Sequence, residues 1–301
     1  MKILVTGGSG FLGSHVSDAL MQAGHEVTIF DFNASQYLQD GQKEIVGDIT
    51  DENAVNKAVE GCDVIYHLAA LADINEAIDK PRETMFVNLM GTVNLLEAAR
   101  KYKVKRFVFS SSIYVYSDQG SFYRTSKQAC EHLIQDYHDR YGLEYTILRY
   151  GSLYGPRADA SNSVFKMITS ALGTGKIEYA GNGQEVREYI HIRDAALMSA
   201  EILEDEYKGS ILHLTGRERI TTGAMLEMLT EMLNGKVEVV LGNQNVKGHY
   251  MQTPYNYTPR IGRKMTRSTY IDLGLGLLDC IQSQDLSNPE THPSAVDSTD
   301  G

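Results

Sequence analysis

The first thirteen residues constrain this chain more than any other stretch. An apolar strand over residues 2–6 runs into three glycines, Gly7, Gly10 and Gly13, at G-x-x-G-x-x-G spacing, and a helix over about 11–22 follows at once. The first glycine permits a tight turn. The second lets a pyrophosphate approach the backbone, and the third lets the helix pack closely on the sheet. The helix N-terminus, with Phe11 and Leu12 in its first turn, then presents free N–H groups to phosphate oxygens. At this first strand-to-helix junction the triplet reads as a dinucleotide cradle.

The same unit then recurs. Strands are expected over 26–30, 44–46, 63–67, 106–110 and 145–149. Helices fall between them, including a long one over about 81–101 that carries Asn88, and another over 123–141. Such alternation calls for an α/β fold, a Rossmann-type doubly wound parallel sheet with helices on both faces. The rhythm breaks after LRYGSLYGPR. Shorter elements follow: helices near 164–172, 195–203 and 224–233, and strands near 211–214 and 237–240. These predict a smaller C-terminal α/β substrate lobe. The expected division is a cofactor domain over 1–155, a lobe over 156–285 with segments returning to the first domain, and a polar, disordered tail over 286–301. At 301 residues and 42% hydrophobic content, the chain can support two unequal lobes sharing a cleft.

Chemistry-bearing residues cluster where these strands end. Asp31 closes the second strand, 31 − 13 = 18 residues after the last glycine. A carboxylate there accepts hydrogen bonds from a ribose hydroxyl and repels a 2′-phosphate, and no cation follows in DFNASQY, so NAD is expected over NADP. Asp48 in GDIT can reach an adenine amino group or cap the next helix. Leu68, Ala69 and Ala70 end the fourth strand, and the small residues let a flat cofactor lie against the backbone. His67 beside them reads as packed rather than catalytic. Ser110, Ser111 and Ser112 end the fifth strand and offer hydroxyls to a reacting oxygen.

Tyr123 and Lys127 form Y-x-x-x-K and share one helix face. An ammonium beside a phenol stabilises the phenolate and lowers the Tyr pKa from its usual value of roughly 10. The Tyr then becomes usable as a general base. Arg187, in EVREYIHIRDAA, suits bidentate binding of a phosphate. His191 and Asp194 in the same run read as packing and capping residues.

Net charge is −11 with no long Lys/Arg cluster, which excludes nucleic acid as an expected partner. Cys62, Cys130 and Cys280 are unevenly spaced, with no C-x-x-C and no zinc pattern, so reduced thiols and no metal are expected. No apolar run reaches the roughly 20 residues that span a bilayer. The opening MKILVTGG is too short to be a signal peptide. A cytoplasmic protein without membrane association is expected.

Together, TGGSGFLGSH, HLAA, VNLMGT, FVFSSSIYVY, YRTSK, LRYGSLYGPR and REYIHIRDAA resemble, in order, the extended short-chain dehydrogenase/reductases. The specific likeness is to the NAD-dependent epimerase/dehydratase family, of UDP-glucose 4-epimerase type. The resemblance implies Ser112 as the third catalytic member beside Tyr123 and Lys127. It implies Asp31 at the adenosine ribose, Asp48 and Ile49 at adenine, Asn88 near the cofactor, and Arg187 at the substrate diphosphate. It also implies a homodimer acting on a nucleotide sugar.

Four departures qualify the match, the first being that the family's Arg-rich motif near the C-terminus is not recognisable in TPYNYTPRIGRK. Ile113 and Tyr114 stand where dehydratases of the family place an Asp-Glu pair and decarboxylases a Glu. Ser152 replaces the Asn that contacts the sugar nucleotide. Ser112 and Tyr123 lie only 123 − 112 = 11 residues apart, too few for the loop that lines the sugar in epimerases, so the pocket is expected to be open or filled by another segment or subunit. The expected function is nucleotide-sugar 4-epimerisation through a transient 4-keto sugar. The alternatives are a dehydrogenase or reductase that releases its product, and a non-catalytic NAD-binding sensor, which would not need the Ser-Tyr-Lys set.

Overall fold

The computed structural model describes residues 1–242 and 248–252. The first half alternates as expected: β1 (Lys2–Thr6), α1 (Phe11–Gln22), β2 (Glu26–Asp31), β3 (Lys43–Val46), α2 (Glu52–Val59) and β4 (Val64–His67). Next come α3 (Ile74–Asp79), α4 (Pro81–Met85), a π-helical turn (Phe86–Met90), α5 (Gly91–Lys101), β5 (Arg106–Ser112), α6 (Ser121–Tyr141) and β6 (Tyr145–Tyr150). After β6 the chain forms β7 (Ser152–Tyr154), α7 (Ser163–Thr174), β8 (Lys176–Tyr179), β9 (Val186–Arg187), β10 (Tyr189–His191) and α8 (Ile192–Glu201). It continues through β11 (Ser210–Leu214), β12 (Ile220–Thr221), α9 (Thr222–Met232) and β13 (Glu238–Leu241).

Seven strands form one sheet in the order β11-β6-β5-β4-β1-β2-β3. Every pairing is parallel. The direction of winding reverses between β1 and β4, and ligands bind such sheets at the carboxyl ends beside that reversal. The strands are apolar on both faces because both are covered. Leu4, Ile65, Phe107, Phe109 and Ile147 pack with Leu95, Leu96 and Ile134 from α5 and α6. Their strand neighbours Ile3, Val5, Tyr66, Val108 and Leu148 pack on the other face with Val16 and Leu20 of α1 and Ala195 and Ala196 of α8. Successive side chains of each strand thus feed alternate cores.

β11 comes from the second half of the chain and returns to pair with β6. The rest of that half makes three two-stranded pairs, β7 with β10, β9 with β12, and β8 with β13. Met167, Ala171, Ile177, Leu226 and Val237 form its own small core. The region expected to be a disordered tail, and Cys280, lie outside the described residues.

The long helix expected over 81–101 is interrupted. Phe86–Met90 is a π-helical turn between α4 and α5. Asn88 within it faces inward and accepts from Leu71 N–H at 2.7 Å. Its amide also donates to the Leu71 carbonyl at 3.1 Å and to Ser126 Oγ at 2.9 Å. The extra residue of the π turn rotates Asn88 into position to tie the segment after β4 to α6.

Candidate active site

β5 and α6 bring the Ser-Tyr-Lys residues together, and each of the three serines at the end of β5 has a different partner. The Ser110 carbonyl accepts from Lys127 Nζ at 2.7 Å. The Ser111 hydroxyl donates to Glu131 Oε1 at 2.5 Å. Ser112 is the serine beside Tyr123, where it favours the phenolate, and its Oγ accepts from Tyr114 N–H at 3.3 Å.

The charge pattern differs from the simple Tyr-Lys expectation. Burial pushes the Tyr123 phenol up to about 12, with the neighbouring Ser112 hydroxyl acting the other way. Lys127 does not hold the phenol. Its ammonium is turned to Ser110 and lies 5.7 Å from the Tyr123 ring centroid. Burial pulls Lys127 down to about 8, opposed by the nearby Cys130 and Glu131. The carbonyl offers the buried ammonium a full hydrogen bond at short range, whereas a neutral phenol offers less.

At the β1-α1 junction the backbone itself forms a cradle. Gly7 has φ +70°, and a Cβ there would lie 2.6 Å from Ala69 N. A Cβ on Gly13 would lie 2.0 Å from the Gly7 carbonyl oxygen, and one on Gly10 would lie 3.3 Å from it. No side chain caps α1, so its first N–H groups at Phe11 and Leu12 face the cradle mouth. Leu68 N–H donates to the Thr6 carbonyl, which sets Leu68 and Ala69 against Gly7. Asp31 sits at the end of β2, its carboxylate accepting from Ser9 N–H and Asn33 N–H, both at 3.0 Å. A backbone nest, an open helix N-terminus and a strand-end carboxylate fit the pyrophosphate and ribose of a dinucleotide.

Other expected site residues are engaged differently. Asp48 does not cap α2; it accepts from Thr50 N–H at 2.8 Å, and Asp51 is the cap. Ile49 is buried, its carbonyl accepting from Asn94 at 3.0 Å. Asn88 is fully engaged by Leu71 and Ser126, and so positions α6. His67 is buried between Thr6 Oγ1 at 2.8 Å and Thr92 Oγ1 at 2.9 Å, and burial pulls its pKa down to about 3. His191 caps α8 and stacks edge-on to Tyr154. Ser152 lies two residues after Tyr150, the β6 partner of Ser112. Arg187 is buried on β9, its guanidinium 4.3 Å from the Tyr250 ring centroid.

The space beside the short Ser112–Tyr123 connection is filled by residues 248–252. Gly120 N–H donates to the Gly248 carbonyl at 3.0 Å, and Val186 N–H donates to the Met251 carbonyl at 2.7 Å. Between these ties, His249 Nδ1 lies 2.8 Å from Tyr114 Oη, and the Tyr250 ring lies 4.7 Å from the Tyr114 ring. Tyr114 in turn stands edge-on to Tyr123 at 6.5 Å. Gly120 admits this arrangement: its φ is +93°, and a Cβ would meet Tyr114 Cδ1 at 2.7 Å. Sequence reasoning registered Tyr114 only as a missing carboxylate. His249 and Tyr250 carried no local signal, since their partner is 135 residues away.

Beneath the site, Glu131 of α6 accepts from Arg149 Nε at 2.9 Å and from its Nη2 at 2.5 Å. Arg149 also bonds Tyr116 Oη, and that oxygen lies 2.8 Å from His213 Nε2. Among the described residues no cluster of His, Cys, Asp or Glu could hold a metal, and no helix is long and apolar enough to cross a membrane.

Comparison with known proteins agrees with this geometry. The model of the NAD dependent epimerase/dehydratase family matches residues 3–214. A UDP-N-acetyl-alpha-D-glucosaminuronate decarboxylase of Bacillus cytotoxicus is 28% identical over 79% of this chain and 82% of its own length. A dTDP-glucose 4,6-dehydratase of Actinoplanes is 27% identical, covering 87% of this chain and 91% of its own. Among solved structures, the UDP-glucuronic acid 4-epimerase of Bacillus cereus, in complex with UDP-glucuronic acid and NAD, superposes with a TM-score of 0.78 at 25% identity. That match covers 87% of this chain and 95% of the other.

Proposed function

Because the chain belongs to the NAD-dependent epimerase/dehydratase family, we propose that this NAD enzyme is a nucleotide-sugar 4-epimerase working through a transient 4-keto sugar. Bound NAD supplies the acceptor for the C4 hydride and the donor for its return. Ser112, beside Tyr123, relays the C4 hydroxyl proton to the Tyr123 phenolate oxygen. At about 12 the buried phenol by itself keeps its proton at neutral pH, so it can accept another group's proton only once it has been converted to the phenolate. Lys127 retains its charge at neutral pH, and swinging its ammonium from the Ser110 carbonyl toward Tyr123 favours the phenolate. Asp31 receives the adenosine ribose and selects against a 2′-phosphate. Arg187 receives the substrate diphosphate.

The observation that carries the reading is what stands beside the Ser-Tyr pair. Ile113 and Tyr114 occupy the positions next to Ser112, so no carboxylate is supplied there for eliminating water or assisting loss of carbon dioxide. Reversible oxidation at C4 needs no such group. Phe86 and Met90 on the π turn and Phe122 on α6 leave large apolar side chains exposed, which supports a homodimer formed through this face.

The test is chromatography that resolves an epimer from its substrate, with mass detection, on the NAD-loaded protein incubated with UDP-, GDP-, CDP- and dTDP-sugars. An isomer of unchanged mass is expected for at least one of them. A product that has lost water or carbon dioxide, or a keto sugar released in stoichiometric amount, would replace the epimerase reading.

A further inference from the structure

The wall between Tyr123 and Arg187 is built from Tyr114, near the end of FVFSSSIYVY, and from residues 249 and 250, which lie outside every motif. Ring contacts run without a gap from Arg187 to Tyr250 at 4.3 Å, from Tyr250 to Tyr114 at 4.7 Å, and from Tyr114 to Tyr123 at 6.5 Å. The reading above places the diphosphate at Arg187 and sugar C4 at Tyr123. The sugar ring between them then has to lie along Tyr114 and the segment that backs it. That segment is held at both ends, by Gly120 and by Val186.

The polar tips on this wall are the Tyr114 hydroxyl and the His249 imidazole, 2.8 Å apart. Burial holds the Tyr114 phenol well above its usual range, with Tyr250 adding to the shift. Burial also holds His249 below the usual histidine range, helped by the Arg187 charge. Both groups are therefore uncharged at neutral pH. An uncharged phenol–imidazole pair is a poor replacement for a catalytic carboxylate, but it is well suited to exchanging hydrogen bonds with hydroxyls. Its aromatic surroundings suit the apolar face of a hexose ring.

We infer that Tyr114 and His249 form the sugar-recognition edge of the site, a specificity-determining pair that does for this chain what a longer Ser112–Tyr123 loop does elsewhere. This rests on the nucleotide-sugar reading and deepens it. The pair comes from two distant parts of the chain, so sugar preference is set jointly by the end of β5 and residues 248–252. Of the two expectations for the pocket, open or filled by another segment, the second applies on this account.

The experiment is calorimetric titration of the full NAD-loaded chain with UDP, dTDP and GDP, and with UDP-glucose, dTDP-glucose and GDP-mannose. Tyr114→Phe keeps the ring and removes the hydroxyl; His249→Ala removes the imidazole. Losing one such hydrogen-bonding group is expected to weaken the sugar conjugate roughly three- to tenfold. The matching bare diphosphate should change less than about twofold. Arg187→Ala should weaken both ligands together. Parallel weakening by Tyr114→Phe and His249→Ala, or no change in either ligand, would show that the pair only packs and would overturn the inference alone. If the unmutated chain binds none of the diphosphates, the nucleotide-sugar reading falls and takes this inference with it.

Discussion

Lys127 and His67 are both bases that water would leave free to take a proton, and both are buried. Lys127 keeps a hydrogen-bond acceptor for its charge and is drawn down only to about 8. His67 has an acceptor for only one of the two N–H groups that a charged ring carries. Thr92 donates its hydroxyl to the Asn88 carbonyl at 2.6 Å, so it can only accept from His67 Nε2–H. That leaves His67 Nδ1 to accept from Thr6, and the ring is neutral. With a folded pKa of about 3, His67 takes a proton in the unfolded chain well before it does in the folded one. The unfolded state therefore binds more protons between about 3 and the usual 6.5, and stability rises with pH across that window. Acidifying from pH 7 toward 4 should remove up to about 1.4 kcal/mol per pH unit through this residue. Urea denaturation of His67→Gln should show a flatter loss over the same range; an unchanged slope would contradict the account. Asp31 carries the cofactor prediction. Titration should show NAD binding far more tightly than NADP, and Asp31→Ala should narrow the gap. Equal affinities in the unmutated protein would refute the role given to Asp31. Both residues were legible in the sequence, His67 from its place in a buried strand and Asp31 from its distance to the glycines. The partner of Lys127 was not, because helical spacing shows which residues share a face but not which acceptor wins.

Besides its bonds to β5, α6 is held by buried attachments on two other sides. Asn88 ties it to the segment after β4, and the Glu131–Arg149 pair ties it to β6. Both members of that pair are nearly inaccessible, with side-chain exposures of 8% for Glu131 and 13% for Arg149. Removing one partner strands the other charge. Arg149→Met should cost about 3–5 kcal/mol in chemical denaturation. Replacing both partners together with Met should restore much of that loss. A single variant as stable as the parent would show that the pair is not holding the helix. The strands of the large sheet, their parallel pairing and most helices were legible because apolar runs of strand length alternate with longer helical patterns, but the short β7, β8, β9, β10 and β12 were not. Neither α3 nor the π turn was. α3 is six residues long and starts at an Asp73 cap that accepts from Asn75 N–H and Glu76 N–H. The π turn is set by Asn88 reaching Leu71, and no periodicity records that contact.

At the scale of the molecule, the reversal of strand order between β1 and β4 places the glycine cradle and the carboxyl end of β5 on one edge of the sheet. The sequence predicted that edge, because each motif follows a strand. It did not predict the wall of Tyr114, His249 and Tyr250, which forms only when residues 248–252 reach the end of β5. The exposed Phe86, Met90 and Phe122 give a further expectation. Light scattering should find twice the chain mass, and Phe86→Asp with Phe122→Asp should reduce it to the single-chain value. A monomeric parent would remove the homodimer from the account. The central claim is that Ser112, Tyr123 and Lys127 oxidise and re-reduce one carbon without letting the sugar go. It is tested most directly with a nucleotide sugar deuterated at C4, incubated with the NAD-loaded protein in ordinary water and excess unlabelled NAD. The account predicts an epimer that keeps its deuterium at C4, and no epimer from Tyr123→Phe, since removing a general base costs about 10² to 10⁴ in rate. Loss of the label to solvent or to the unlabelled NAD, or unimpaired turnover by Tyr123→Phe, would contradict it.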